Sequence, residues 1–458
     1  AKRDSAELRD LIEIIAELAE ALSHEGDWRV KHVGRSDNLP AELARTLDEA
    51  EGYEERNRWN EEAEPKDSED SDDTVDGDDS DDSDKKDPLG FLPLSGQAKK
   101  IAEWLSVVIA IWLLLNAVGM IGSGFNMAAG DRAEELFSFA ENPFVGLAIG
   151  ILATAILQSS STTTSIVVGM LAGGLPLEVA VPMLFGANIG TTVTSTLVAL
   201  GLSGNKKQFQ RAFSMATVHD FYNLLALLIF FPLELFTGFL SRVAGAMAGA
   251  FTGQGDGVLD SIFSAIGDFV DAVTEPLVGV AEGLAENIGG VWGGIALTIA
   301  GVVLILLVIG FIGRMLSRLL VGRAKEILHN ALGKGTLSGI VSGAVITTAV
   351  QSSSTTTSLT VPLAASGKFE MRRLFPFVVG ANIGTTVTGL IAAFSASGVE
   401  AEAAMTGALV HTMFNTFAAI LIMSIPLLRA LPPRGAEWLA ALATKNKIYV
   451  FIWVGGVF

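Results

Sequence analysis

Apolar residues fall into long blocks from Ile101 onward, separated by short polar or charged stretches. Six blocks, near 101–122, 179–201, 212–238, 291–313, 374–396 and 404–427, are long enough to cross ~30 Å of hydrocarbon as helices. Two more, near 143–172 and 335–366, are interrupted by runs of Ser and Thr. A last run, 447–458, covers about half a span, and its apolar end predicts a continuation past Phe458. Before Ile101 the pattern is different. Leu8, Leu11, Ile12, Ile15, Leu18 and Leu22 recur at helical spacing, which predicts an amphipathic helix over 5–23. A second short helix is predicted from Pro40, with Leu43 and Leu47 as its apolar contacts. Residues 61–88 have almost no apolar side chains and cannot bury enough surface to offset their ordering entropy.

Internal repetition organises the apolar part. Gln158-Ser-Ser-Ser-Thr-Thr-Thr164 recurs as Gln351-Ser-Ser-Ser-Thr-Thr-Thr357. Gly186-Ala-Asn-Ile-Gly-Thr-Thr-Val-Thr194 recurs letter for letter from Gly380 to Thr388. His219 and Asn223 recur as His411 and Asn415, and Pro182 as Pro376. Each repeat then holds three full spans and one broken segment. A broken segment that enters and leaves on one side gives each repeat an odd number of crossings, so the second repeat starts from the opposite side. The predicted fold is an all-α polytopic membrane protein of two inverted repeats, each with three transmembrane helices and one broken re-entrant hairpin. The boundaries expected are a small helical cytoplasmic extension (1–60), an acidic disordered linker (61–90), repeat 1 (101–238), an extracellular connecting loop (239–290), repeat 2 (291–430) and a final segment (431–458).

Charge agrees with this division. Of the net −19, residues 1–100 contribute −16 (14 basic, 30 acidic), and the remainder is nearly neutral. That acidity opposes nucleic-acid binding, which depends on basic surfaces. With the N-terminus in the cytoplasm, 15 of the 17 basic residues after position 100 fall inside, as the positive-inside rule requires. The location expected is the plasma membrane. The chain has no Cys, which excludes disulfides, thiolate metal sites and thiol nucleophiles. No nucleophile–base pair or phosphate-binding Gly-Lys-Ser/Thr loop is recognisable, so an enzyme is not expected, nor is an organic cofactor.

Hydroxyl runs inside apolar segments carry the chemistry. Non-helical backbone at membrane depth survives only where protein or a cavity satisfies its polar groups. Both runs therefore read as helix breaks. Neutral oxygens from Ser, Thr, Gln, Asn and freed carbonyls are hard ligands suited to Na+. Amides at the start of the following helix suit an oxyanion. No Lys or Arg lies near either motif in sequence, so a divalent anion there has no fixed counter-charge. The membrane potential opposes its inward movement by ~2.3 kcal/mol per charge per 100 mV, and co-transported cations solve both problems. His219 and His411 read as structural hydrogen-bonding residues or as substrate contacts. Asp220, nearly the only acid placed inside a span, reads either as a cation ligand or as paired with a neighbouring polar group. Repeat 2 has Thr412 there, so any role of Asp220 is asymmetric.

These paired motifs, with Val218-His-Asp-Phe-Tyr-Asn223 and Val410-His-Thr-Met-Phe-Asn415, resemble the sodium-dependent phosphate cotransporters, the type II group and its bacterial relatives. The resemblance covers roughly 101–430. It implies Na+-driven uptake of inorganic phosphate by alternating access, with Na+ as coupling ion and the lipid bilayer as surroundings. By the same resemblance, Gln158, Ser159, Ser160, Ser161, Gln351, Ser352, Ser353 and Ser354 hold the anion. Na+ would be held at Gln158, Ser161, Thr162, Gln351, Ser354 and Thr355, with Asn188, Thr191, Thr192, Asn382, Thr385 and Thr386 supporting or ligating it and Asp220, Asn223 and Asn415 as further candidate ligands. Two alternatives stand beside this reading: transport of another oxyanion such as sulfate, and a non-transporting phosphate sensor. The sequence leaves oligomeric state open, a homodimer among the options.

Overall fold

The computed structural model describes residues 93, 95–129, 142–191, 193–251, 258–332, 335–367, 369–396 and 400–457. The helices expected within 1–60 and the linker 61–90 lie outside the described residues. All regular structure among the described residues is helical. In chain order the first helices are α1 (Gly96–Ala129), α2 (Pro143–Leu157), α3 (Ser160–Ala172), α4 (Leu177–Ala187), α5 (Val193–Gly201) and α6 (Lys206–Thr237). Then come α7 (Phe239–Phe251), α8 (Val258–Ile288) and α9 (Gly290–Leu332). The rest are α10 (Thr336–Val350), α11 (Ser353–Ser358), α12 (Thr360–Ser366), α13 (Met371–Ala393), α14 (Glu400–Ser424), α15 (Pro426–Lys445) and α16 (Ile448–Val457). Five are long and apolar enough to cross a membrane: α1, α6, the Gly290–Leu316 stretch of α9, α13 and α14.

The sixth expected span, 179–201, is two shorter helices, α4 and α5, separated by turn at Asn188–Thr191. Its repeat-2 counterpart is the unbroken α13, although the nine residues Gly186–Thr194 and Gly380–Thr388 are identical. Local propensity is therefore not the cause. The backbone carbonyl of Asn188 accepts from Asn223 Nδ2 at 2.6 Å, so a side-chain amide competes for a carbonyl that would otherwise continue the helix. In repeat 2 the matching Asn415 turns its Nδ2 to His411 O within its own helix, 2.9 Å away. Within 239–290, expected as a connecting loop, the described stretches Phe239–Phe251 and Val258–Ile288 are helical, as α7 and α8.

Hairpin and motif helix pack in the same way in both repeats. A Cβ on Gly150 of α2 would lie 2.1 Å from Met183 O of α4, and one on Gly343 of α10 would lie 2.0 Å from Phe377 O of α13. From the other side, a Cβ on Gly186 would meet Leu147 O at 2.2 Å, and one on Gly380 would meet Ile340 O at 1.9 Å. Glycine is required at these points because the two backbones touch. Gly380→Ala is expected to force α10 and α13 apart and to destabilise the protein by roughly 1–3 kcal/mol, or more if the helices cannot yield. Thermal unfolding in detergent checks this, with Gly455→Ala as control because no atom lies within 4 Å of a Cβ there.

The repeats also exchange helices. α7, which follows repeat 1, packs on α14, and α15, which follows α14, packs on α6. Large apolar side chains such as Trp104, Leu105 and Val108 of α1 and Ile299, Val303 and Leu307 of α9 are exposed. Ser160–Ser165, His219, Asp220, Asn382 and His411 are buried. Such a distribution suits a hydrocarbon surrounding, where polar groups are satisfied inwardly.

Candidate functional site

The two helix breaks have one geometry. α2 ends at Leu157, and Gln158 turns left-handed at φ 55°, while α10 ends at Val350, and Gln351 does the same at φ 56°. They are the only described non-glycine residues with positive φ. Ser159 and Ser352 are extended, and each caps the next helix: Ser159 Oγ accepts from Thr162 N and Ser352 Oγ from Thr355 N, both at 3.2 Å. Capping by Ser is favourable because it satisfies an amide with no partner inside the helix. The chain then continues as α3 in repeat 1 and as α11 in repeat 2, where the junction residue Leu359 keeps helical torsions into α12.

Each glutamine ties the end of the helix before its break to the motif helix. Gln158 Nε2 donates to Ala155 O, and Gln351 Nε2 donates to Thr348 O at 2.6 Å. The amide oxygens accept from the last residue of the nine-residue motif: Thr194 Oγ1 to Gln158 Oε1 at 3.4 Å, and Thr388 Oγ1 to Gln351 Oε1 at 2.7 Å. Thr194 and Thr388 were within reach of sequence reasoning, since the recurrence runs through them. A break presents two backbone ends side by side. Carbonyls at the end of the first helix carry partial negative charge, and amides at the start of the second carry partial positive charge. One break can thus face a cation and an oxyanion together.

A buried hydrogen-bonded chain crosses from one repeat to the other. His219 Nε2 of α6 donates to Asn382 Oδ1 of α13 at 2.5 Å. Asn382 Nδ2 donates to Asn223 Oδ1 at 2.6 Å, and Asn223 Nδ2 reaches Asn188 O. His411 Nε2 of α14 donates to Asn188 Oδ1 at 3.3 Å. An amide oxygen only accepts, so each imidazole presents its Nε2–H. His219 with Asn382 and His411 with Asn188 are equivalent pairs, each joining one repeat to the other. A second link joins Ser195 Oγ of α5 to Thr357 Oγ1 and Ser358 Oγ, both at 3.4 Å.

The expected site residues separate into groups. Ser160, Ser161, Thr162 and Ser353 are buried at the breaks, Gln158, Ser159, Gln351, Ser352 and Ser354 are half-buried, and Thr355 is exposed. Asn188, Asn223 and Asn382 have amide oxygens engaged by protein donors or lie in the crossing chain. Thr191, Thr385 and Thr386 donate to carbonyls of Asn188, Ala381 and Ile383. Asn415 Oδ1 is buried with no hydrogen-bond partner, as are the hydroxyls of Thr164, Ser165, Thr196 and Thr347. Buried unsatisfied oxygens of this kind are uncommon and fit a hard cation. Thr192 lies outside the described residues. Asp220, fully buried, accepts from Trp453 Nε1 at 2.9 Å. No His, Asp and Glu cluster fit for a transition metal occurs among the described residues. A cavity of about 780 Å³ lies beside α6, lined by Lys207, Arg211, Ser214, Ala364, Arg372 and Glu437 among others.

A model of the Na+/Pi-cotransporter family matches residues 113–250 and 304–428, which take in both breaks and both copies of every motif. The chain belongs to that family. Relatives include sodium-dependent phosphate transport protein 2A of Rattus norvegicus, 30% identical over 409 residues, covering 75% of this chain and 64% of the relative. Sodium-dependent phosphate transport protein 2B of Bos taurus is 28% identical over 438 residues, covering 77% and 63%. The chain thus spans a little under two thirds of the length of these relatives. No solved structure matches it.

Proposed function

We propose that this chain is a secondary active transporter that couples Na+ influx to uptake of inorganic phosphate across the plasma membrane, with its N-terminus cytoplasmic. The observation that carries the proposal is the pair of matched breaks, each with a left-handed glutamine tied to the motif helix of its own repeat. Family membership and the names of the relatives support phosphate and Na+ as the ligands. Ser159–Ser161 and Ser352–Ser354 offer hydroxyls and helix-start amides to the anion. Gln158, Ser161, Thr162, Gln351, Ser354, Thr355, Asn415 and Asp220 offer oxygens to Na+. Asn188, Asn223, Asn382 and the two histidines chiefly join the repeats.

An asymmetry between the repeats supports alternating access. One nine-residue motif holds two backbone forms, broken in repeat 1 and continuous in repeat 2. Exchanging the forms moves access from one side to the other. The cavity lined by Lys207, Arg211, Arg372, Glu370 and Glu437 lies at the end assigned to the cytoplasm, where the anion is released.

Ligand linkage tests this reading. Na+ and phosphate each stabilise a protein that binds them, by an amount set by concentration over Kd. Phosphate is expected to raise the melting temperature of the purified protein in Na+ but not in K+ of equal concentration. Sulfate in place of phosphate is expected to have little effect. Equal shifts with sulfate would transfer the assignment to another oxyanion, and equal shifts in K+ would remove the coupling.

A further inference from the structure

Asp220 is a wholly buried carboxylate in the middle of α6, directly after His219 of the crossing chain. Its Oδ2 accepts a 2.9 Å hydrogen bond from the indole Nε1 of Trp453 on α16. The same indole stacks on Phe221, with ring centroids 4.7 Å apart and planes 21° apart. α15 closes this region from the side, since a Cβ on Gly435 would lie 2.5 Å from the Phe221 ring. A further contact holds the start of α16: Lys447 Nζ lies 2.8 Å from the centroid of the Phe209 ring, three turns earlier on α6. Both α15, after its first residues, and α16 lie beyond residue 428, where the family match ends. The repeat-2 counterpart of Asp220, Thr412, needs no such partner, because its hydroxyl donates to Ala408 O of its own helix.

We infer that Trp453 is a positioning residue for the coupling cation: its indole N–H fixes the Asp220 carboxylate in one orientation, which sets the affinity for Na+. This rests on the Na+-coupled reading above. The chemistry of the donor supports it. An Arg or Lys in this place would neutralise the carboxylate and remove its attraction for a cation. An indole N–H is neutral and donates one bond, so its own contribution is to orient the group without adding a positive charge. Stacking on Phe221 holds the indole in turn, so the orientation is set before the cation arrives and not during binding.

The experiment titrates Na+ against two readouts, the melting temperature of the detergent-solubilised protein and the rate of phosphate uptake. Trp453→Phe keeps the stack and loses the N–H. It is expected to raise the half-saturating Na+ concentration roughly tenfold in both readouts, the factor that corresponds to loss of one hydrogen bond to a charged group. Uptake at saturating Na+ is expected to stay near wild type. Trp453→Gln, which keeps an N–H donor without the ring, is expected to recover part of the Na+ affinity. In an Asp220→Asn background, Trp453→Phe is expected to add nothing to the Na+ titration of melting temperature. A Trp453→Phe titration that matches wild type overturns the inference. So does a loss of melting temperature and maximal uptake with unchanged Na+ half-saturation, which marks packing alone. If Trp453→Phe does not fold, a Trp453→Gln titration no better than that of Trp453→Leu overturns it too. A wild type that responds to phosphate equally in K+ removes the Na+ reading, and this inference with it.

Discussion

Gln351→Gly is expected to abolish Na+-driven phosphate uptake while leaving stability within about 1 kcal/mol of wild type. Gln351 is held at φ 56°, where a non-glycine residue is unfavourable by ~1–2 kcal/mol. Glycine removes that strain. It also removes the bonds to Thr348 O at 2.6 Å and from Thr388 Oγ1 at 2.7 Å, each worth ~0.5–1.5 kcal/mol. The two effects nearly cancel. Gln351→Ala keeps the strain and loses the same bonds, so it is expected to fall ~1–3 kcal/mol below wild type. Uptake is expected to be lost in both, because both remove the carboxamide from the break. Activity and stability then diverge, and thermal unfolding beside uptake separates them. Near-normal uptake by Gln351→Gly would show that the break needs only its backbone shape.

Asn382→Ala is expected to be among the most destabilising single changes in the molecule. It leaves His219 Nε2–H and Asn223 Oδ1 buried without their partner. Each such group costs ~1–3 kcal/mol, so the sum is ~2–6 kcal/mol. Asn188→Ala, its counterpart, is expected to cost somewhat less, because the bond it takes from its histidine is the longer one, 3.3 Å against 2.5 Å. Across the repeats it orphans only His411 Nε2–H, since Asn223 Nδ2 reaches the Asn188 backbone carbonyl, which alanine keeps; within its own helix it also withdraws the Asn188 Nδ2 donor that lies 3.2 Å from Leu184 O. Asn415→Ala is expected to change stability by less than ~1 kcal/mol, as its Nδ2 bonds inside its own helix and its Oδ1 has no partner. Unfolding of the three variants in one detergent checks the order. Equal losses at Asn188 and Asn382 would mean that the crossing chain is not what holds these positions.

Much of this was legible in the residues. Hydroxyl runs inside apolar blocks located both breaks, because membrane depth makes such runs unfavourable unless the backbone turns there. The recurrence of Gly186–Thr194 located both motif helices. It did not show that one copy is broken, since the competing amide, Asn223, is 35 residues away in sequence. The same distance problem hid the role of the asparagines. Asn188, Asn223 and Asn382 offer ligand oxygens on composition, but partners in the other repeat engage them, and pairing across repeats has no local signature. Residues 239–290 read as loop because acids and glycines dilute the apolar pattern, yet Phe239–Phe251 and Val258–Ile288 within them form α7 and α8. Trp453 gave no signal, lying 233 residues from Asp220 in a run too short to be read as a full span.

The most direct test of the account is uptake of radiolabelled phosphate into proteoliposomes, driven by an inward Na+ gradient and, in parallel, by an equal K+ gradient. The account predicts accumulation with Na+ alone, abolished by Gln158→Ala and by Gln351→Ala in protein that remains folded. Folded wild type that binds phosphate yet accumulates none under either gradient would contradict it and leave a phosphate-binding sensor as the better description.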